Sequence, residues 1–150
     1  VREPKFISLG EAIQIHNHHI QKQIEDGEGG SQEIADLGLL KSAIAQPQIG
    51  SKEGFLYKNL FEMAATYAFH IIKNHPFVDA NKRTGMTCAI AFLEENGYQM
   101  TANSDQLYET ATGIANNLIR KEEVVRFFQE HSRPSQSQPT DNENQSSAPS

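Results

Sequence analysis

The sequence predicts an all-α protein, a compact bundle of about six helices carrying one short β-hairpin or loop flap. Three observations predict it. Capping signals recur along the chain, each followed by apolar residues at spacings of three and four. Two of the helices so defined, one ending near Asn74 and one running from Asp79 or Ala80 to Glu95, are apolar almost all round, as helices in the middle of a bundle are. One stretch, Gln48 to Tyr57, reads instead as a hairpin or mobile loop, with apolar ends around a turn that contains Gly50 and Gly54.

Taken in order, Ser8-Leu9-Gly10-Glu11 is a capping box that opens the first helix. Ile13, His16, Ile20 and Ile24 form its apolar stripe, and Asp26-Gly27 and Gly29-Gly30 end it. His16 and His19, three apart on one face, are a candidate metal pair, but no Cys or acidic cluster is placed to complete a zinc site. The competing reading makes His16 a hydrogen-bonded core residue and His18 a solvated one. Ile34 to Ala45 is read as the second helix, with Leu37, Leu40 and Ile44 on one face and Pro47 closing it. Asn59 and Glu62 cap the third, in which His70 is a structural residue near one edge. Asn96-Gly97 ends the fourth. Asn103 or Ser104 caps a fifth, with Leu107, Ala111, Ile114 and Leu118 on one side. Lys121 to Glu130 forms the last and buries Val124, Val125, Phe127 and Phe128.

The domain is therefore expected to span residues 1–131. From Ser132 to Ser150 the only apolar side chain outside proline is Ala148, so nothing offsets the entropy of ordering and a disordered tail is expected. One cysteine, Cys88, excludes an internal disulfide, and its place in an apolar run makes it a buried filler. With no run of 18 apolar residues and no signal-like start, a soluble cytoplasmic protein with no membrane partner is expected. The net charge is −6, from 13 basic and 19 acidic residues, which argues against nucleic acid as a partner.

The densest chemistry lies in His75-Pro76-Phe77-Val78-Asp79-Ala80-Asn81-Lys82-Arg83-Thr84-Gly85. Pro76 pushes His75 out of the α region and ends the preceding helix. The next helix start points free amides, from about Asn81 to Thr84, at whatever lies in front of it, and orphan donors with the helix dipole favour an anion there. Lys82 and Arg83 add full charges, Arg83 with a fork suited to phosphate oxygens. Imidazole is the side chain whose ordinary pKa, about 6.5, suits a general base near neutrality, which makes His75 the candidate to deprotonate a hydroxyl. A lone carboxylate beside phosphates usually holds Mg²⁺, the role open to Asp79. Asn81 can donate to a phosphate oxygen, and Phe77 anchors the loop in the core. Together these residues suit transfer of a phosphorus group from a nucleoside triphosphate to a hydroxyl. The plainer alternative is a helix start with ordinary capping and surface cations.

The run His-x-Phe-x-Asp-Ala-Asn-Lys-Arg resembles the signature of the Fic/Doc family, His-x-Phe-x-(Asp/Glu)-(Gly/Ala)-Asn-(Gly/Lys)-Arg, and Lys82 and Thr84 resemble its Doc (death-on-curing) branch. Leu37 to Pro47 is similar to the segment leading into that family's flap, and Phe92 to Tyr98 to the end of its central helix; the similarity covers most of residues 6–131. The resemblance implies the Fic/Doc helical fold. It implies a catalytic set of His75, Asp79, Asn81, Lys82 and Arg83, with the nucleotide held by Asn81, Lys82, Arg83 and Thr84 and a metal by Asp79. It implies a target-binding flap at Ile49, Gly50 and Ser51, where strand addition would recognise a target's main chain; a plain connector is the alternative there.

Fic proteins that transfer adenylyl groups carry Gly where Lys82 stands. In the Doc branch the Lys is associated with a flipped nucleotide and transfer of the γ-phosphate of ATP. The resemblance thus implies a toxin that phosphorylates a hydroxyl on a translation factor, elongation factor Tu by expectation, with ATP as co-substrate, Mg²⁺ as cofactor and growth arrest as the result. Ala80 is a mild departure from the commoner Gly. No Ser/Thr-x-x-x-Glu-(Gly/Asn) inhibitory segment stands at either end of the chain, so control is expected from a cognate antitoxin. An adenylyltransferase that tolerates Lys82 and a non-enzymatic helical interaction module remain open beside this reading.

Overall fold

The computed structural model describes residues 3–51 and 53–135. It is a helical bundle with two small antiparallel ladders, in the order α1 (Leu9–Glu25), α2 (Leu37–Ala45), β1 (Gly50–Ser51), β2 (Gly54–Phe55), α3 (Leu60–Asn74), α4 (Asn81–Glu95), β3 (Tyr98–Met100), α5 (Ser104–Ala115), α6 (Lys121–Glu130) and β4 (Ser132–Pro134). The expected helices are present, and no helix among the described residues is long and apolar enough to cross a membrane.

The local signals act as expected at most boundaries. Ser8 and Glu11 close a reciprocal capping box on α1, Asn103 and Gln106 close another on α5, and Asn59 accepts from the Glu62 amide at the start of α3. α2 differs. Asp36 accepts from the Leu39 amide and caps the helix there, three residues later than the apolar pattern suggested, because Ile34 is drawn into a β-bridge with Phe77. Three apolar positions are also on the outside rather than in the stripe: Ile24 in the last turn of α1, 47% exposed, Leu37 at the start of α2, 45% exposed, and Leu118, which lies beyond the end of α5, 73% exposed. Of the apolar residues of α6, Val124 and Phe128 are fully buried, while Val125 and Phe127 pack only partly against the core.

α3 and α4 are the buried pair around which the rest is layered. Their close approach rests on Gly85, since a Cβ there would lie 2.8 Å from Ile72 Cγ1 and 3.2 Å from the Ala68 carbonyl. Tyr67, fully buried, accepts from the Ile7 amide at 2.8 Å and ties the N-terminal segment to α3, and burial raises its hydroxyl pKa. Cys88 is buried as expected, its thiol pushed up to about 12 by desolvation.

The domain does not stop at 131. β4 pairs with β3 in the register Tyr98↔Pro134, Gln99↔Arg133 and Met100↔Ser132, and the Ser135 amide donates to the Gly97 carbonyl. Ser132–Pro134 thus belongs to the fold, a correction to the expected tail, because backbone pairing with β3 needs no apolar side chains. Residues 136–150 of that tail lie outside the described residues.

α6 is fastened to α3 by a polar contact at its first residue. Lys121 Nζ lies 3.0 Å from His70 Nε2 and 3.2 Å from the Tyr57 hydroxyl. A lysine ammonium only donates, so His70 accepts and is neutral. Burial first and the Lys121 charge second hold its pKa down to about 4, from 6.5. A folded pKa below the unfolded one means this contribution to stability is complete above pH 6.5 and is lost as the pH falls towards 4. With partial exposure screening the effect, about 1–2 kcal/mol is at stake. Thermal unfolding followed across this range should show that loss, and His70→Gln should flatten the corresponding part of the profile.

Candidate active site

The loop between α3 and α4 is held in an unusual shape at both ends. His75, the C-cap of α3, has φ 52° and ψ 53°, and Ala80, the N-cap of α4, has φ 64° and ψ 30°. Both are left-handed, a region that residues other than Gly seldom enter, so the loop depends on its surroundings to keep this form. Pro76 does displace His75 from the right-handed helix, but into the left-handed basin rather than the extended one.

The restraints come from three sides. The Pro76 carbonyl accepts from the Ala35 and Asp36 amides at 2.8 and 3.0 Å, and the Val78 amide donates to the Glu33 carbonyl at 3.2 Å. Phe77 is fully buried, as expected of an anchor. Asn81, 5% exposed, closes both ends of a clamp on it: Oδ1 accepts from the Phe77 amide at 3.0 Å and Nδ2 donates to the Phe77 carbonyl at 2.8 Å. From α1, buried His16 stacks on the Phe77 ring at 3.7 Å and 7° and places Nε2 2.8 Å from the Asp79 carbonyl.

This geometry redistributes the expected roles. His75 is exposed and Asp79 is half-buried. Asn81 contributes differently from its expected role as a phosphate donor, since its amide is spent chiefly on the loop. Thr84, an expected nucleotide contact, lies in the first turn of α4. Its amide already donates to the Ala80 carbonyl at 3.0 Å, and its hydroxyl is sealed inside the protein. A helix leaves free only the amides ahead of its first i→i−4 bond, and with α4 starting at Asn81 these are Asn81, Lys82 and Arg83.

The two cations do not converge as a single patch. Adjacent helical residues are turned about 100° from one another. Lys82 lies over the Tyr108 ring of α5, with Nζ 5.5 Å from the ring centre, whereas Arg83 leans towards α1, its Nη1 3.4 Å from Gln23 Oε1. They flank the α4 terminus on two sides. His19 does not join His16 in a metal pair: its Nε2 lies 2.8 Å from Thr87 Oγ1. Burial lowers the pKa of both imidazoles.

At the flap, β1 and β2 pair as Gly50↔Phe55 and Ser51↔Gly54, and the Leu56 amide donates to the Ile49 carbonyl at 2.8 Å. Gly50 is required by the close pairing, because a Cβ there would sit 2.5 Å from the Gly54 carbonyl oxygen. Ile49, Gly50 and Ser51 are all exposed. A cavity of about 1150 Å³ opens between β2 and the far end of α4, at Glu94–Gly97, and none of the His75–Gly85 residues line it.

His16 is the hydrogen-bonded core residue expected, though its partner in the loop was not foreseen, and the other parts missed lie far away in the chain: Gln23, the Glu33–Asp36 segment and Tyr108. Only His16 left a signal, a polar residue on an otherwise apolar stripe.

An exposed histidine at the end of one core helix, followed by a braced loop that opens the next, defines a helical protein built around a single motif-bearing bend. A model described as the Fic/DOC family matches residues 6–93. The chain is 32% identical over 123 residues to a protein named Protein kinase doc from Escherichia phage P1, covering 81% of this chain and 90% of that one. It is 39% identical over 77 residues to one named Toxin Doc from Mycolicibacterium smegmatis, covering 51% of this chain and 59% of that protein, so it spans about three-fifths of the latter's length. The chain belongs to the Fic/Doc family, and both relatives carry the Doc name.

Proposed function

We propose that the protein is a Doc-type toxin that transfers the γ-phosphate of ATP to a hydroxyl of a protein target in the cytoplasm, with a translation factor, elongation factor Tu, as the expected target and a cognate antitoxin as its regulator. The observation that carries this reading is the match to the phage protein named a kinase, which at 123 residues necessarily spans the His75–Gly85 loop. Lys82 in the place of the adenylyl-transferring proteins' Gly agrees with it.

In this mechanism the exposed His75 takes the proton of the target hydroxyl. The hydroxyl oxygen forms a bond to the γ-phosphorus as the bond to the β,γ-bridging oxygen breaks, and ADP leaves with that electron pair. The Asn81, Lys82 and Arg83 amides, with the two flanking cations, face the growing negative charge. Arg83 would exchange Gln23 for a phosphate oxygen, a modest cost for a hydrogen bond at 3.4 Å. Among the described residues no group of three or more His, Cys, Asp or Glu could hold a metal. The donor set still fits Mg²⁺, because Asp79 is held by its carbonyl, leaving its carboxylate to share the ion with phosphate oxygens. Bound there, the ion would supply charge neutralisation. The exposed edge at Ile49, Gly50 and Ser51 would take the target's main chain as a third strand.

ATP labelled at either the γ- or the α-phosphate tests the proposal on elongation factor Tu and on whole lysate. The γ-label should appear on protein and the α-label should not. Label from the α-position alone would make the protein an adenylyltransferase, and no label from either would leave an interaction module. Lys82→Ala should lower γ-transfer by on the order of 10²-fold, the loss of one oriented cation at a developing charge.

A further inference from the structure

We infer that His16 is a positioning residue: its buried imidazole, acting from α1, fixes the Asp79 half of the loop and through it the placement of Asp79 and the start of α4. The inference rests on the transfer reading above for its link to catalysis.

His16 is fully buried. The Asp79 carbonyl can only accept, so Nε2 carries the proton and donates across 2.8 Å. In the neutral ring Nδ1 is then a bare acceptor, and it is buried with no hydrogen-bond partner. Half of the ring's polar capacity is therefore wasted in a site where Phe or Leu would waste none. The stack on Phe77 does not require a histidine, since any flat ring provides it. What this side chain adds beyond a flat ring is the donor to Asp79.

That donor has no substitute in the described loop contacts. The Ala35, Asp36 and Glu33 bonds and the Asn81 clamp all act on Pro76, Phe77 and Val78. Asp79 is held by His16, and Ala80 follows at once with φ 64°. Without the bond, the left-handed turn that sets the first residue of α4 loses its brace, while the Phe77 anchor keeps its own.

Three variants separate donor from stack. His16→Phe keeps a flat ring on Phe77 and removes the donor; His16→Gln keeps a donor at similar reach and removes the stack; His16→Ala removes both. Three quantities are measured on each: melting temperature, kcat and KM for ATP in γ-label transfer, and hydrogen exchange of the Thr84 amide, which bonds to the Ala80 carbonyl at the first turn of α4. The expected result is that His16→Phe melts no lower than wild type yet loses on the order of 10²-fold in kcat with KM for ATP little changed. Its Thr84 amide should exchange roughly tenfold faster while amides in the middle of α3 do not. His16→Gln should recover much of the lost kcat despite melting lower.

The inference is overturned if His16→Phe transfers at the wild-type rate, if His16→Gln is no better than His16→Ala, or if kcat simply follows melting temperature through the series. Should the wild type transfer no label, the transfer reading has failed, and exchange alone decides the positioning claim. Faster exchange of Thr84 in His16→Phe, and its restoration in His16→Gln, would support it, and unchanged exchange would overturn it.

Discussion

Replacing His75 is expected to lower γ-phosphate transfer by on the order of 10²–10⁴-fold, the usual range for a lost general base, with little effect on the fold. The side chain is exposed and caps α3 through its backbone, the amide donating to the Ile71 carbonyl at 3.2 Å. The choice of substitute matters because the residue is left-handed. Histidine already carries the Cβ that strains this basin, but alanine enters it less readily. Asparagine enters that basin more easily, so His75→Asn gives the cleaner comparison. Both variants should retain nucleotide binding, since neither touches the amides of α4. Calorimetric titration with ATP and single-turnover transfer together check this. A variant that binds ATP and still transfers at the wild-type rate would remove His75 from the chemistry and with it the mechanism given above.

Asn81→Ala should damage both stability and transfer. It deletes two buried hydrogen bonds and leaves the amide and carbonyl of Phe77 without partners in a closed site. Stranded buried polar groups of this kind cost about 2–4 kcal/mol in total, or roughly 10 °C in melting temperature for a domain of this size. Transfer should fall by on the order of 10²-fold even well below the melting point, because the loop that carries His75 and Asp79 loses its clamp. Asn81→Asp keeps the acceptor for the Phe77 amide and loses the donor to its carbonyl, so its melting temperature should lie between. A normal melting temperature with lost transfer would instead return Asn81 to the phosphate-contacting role that its place in the motif suggested.

The outcome for Asn81 illustrates what sequence patterning can and cannot reveal here. The helices were legible because their causes are local. A cap is decided within four residues, as at Ser8, Asn59 and Asn103, and an apolar face repeats with the helical turn. The break of the helix at Pro76 was legible for the same reason. The short ladder of β3 and β4 was not, because it joins Tyr98–Met100 to Ser132–Pro134 across the whole of α5 and α6, and three residues offer too little alternation to read. The start of α2 was misplaced because Ile34 answers to Phe77, more than 40 positions away, and not to its own helix. Within the site, residue identities were legible but not which bond each polar group would make. Asn81 and Thr84 sit where a ligand-contacting reading is natural, yet the fold takes up the amide of one and buries the hydroxyl of the other. His16, read as a core residue, proves to reach the Asp79 carbonyl from the opposite element.

The last strand has a mechanical side. In most small bundles the terminal helix peels from its free end, one turn at a time, at almost no cost. Here the C-terminal end of α6 is stitched to the residues just past α4, through three strand pairs and the Ser135 to Gly97 bond, while its first residue is moored to α3 at His70. Peeling must therefore wait for the stitching to break. Until then α6 stays packed against α3, the helix that ends at His75.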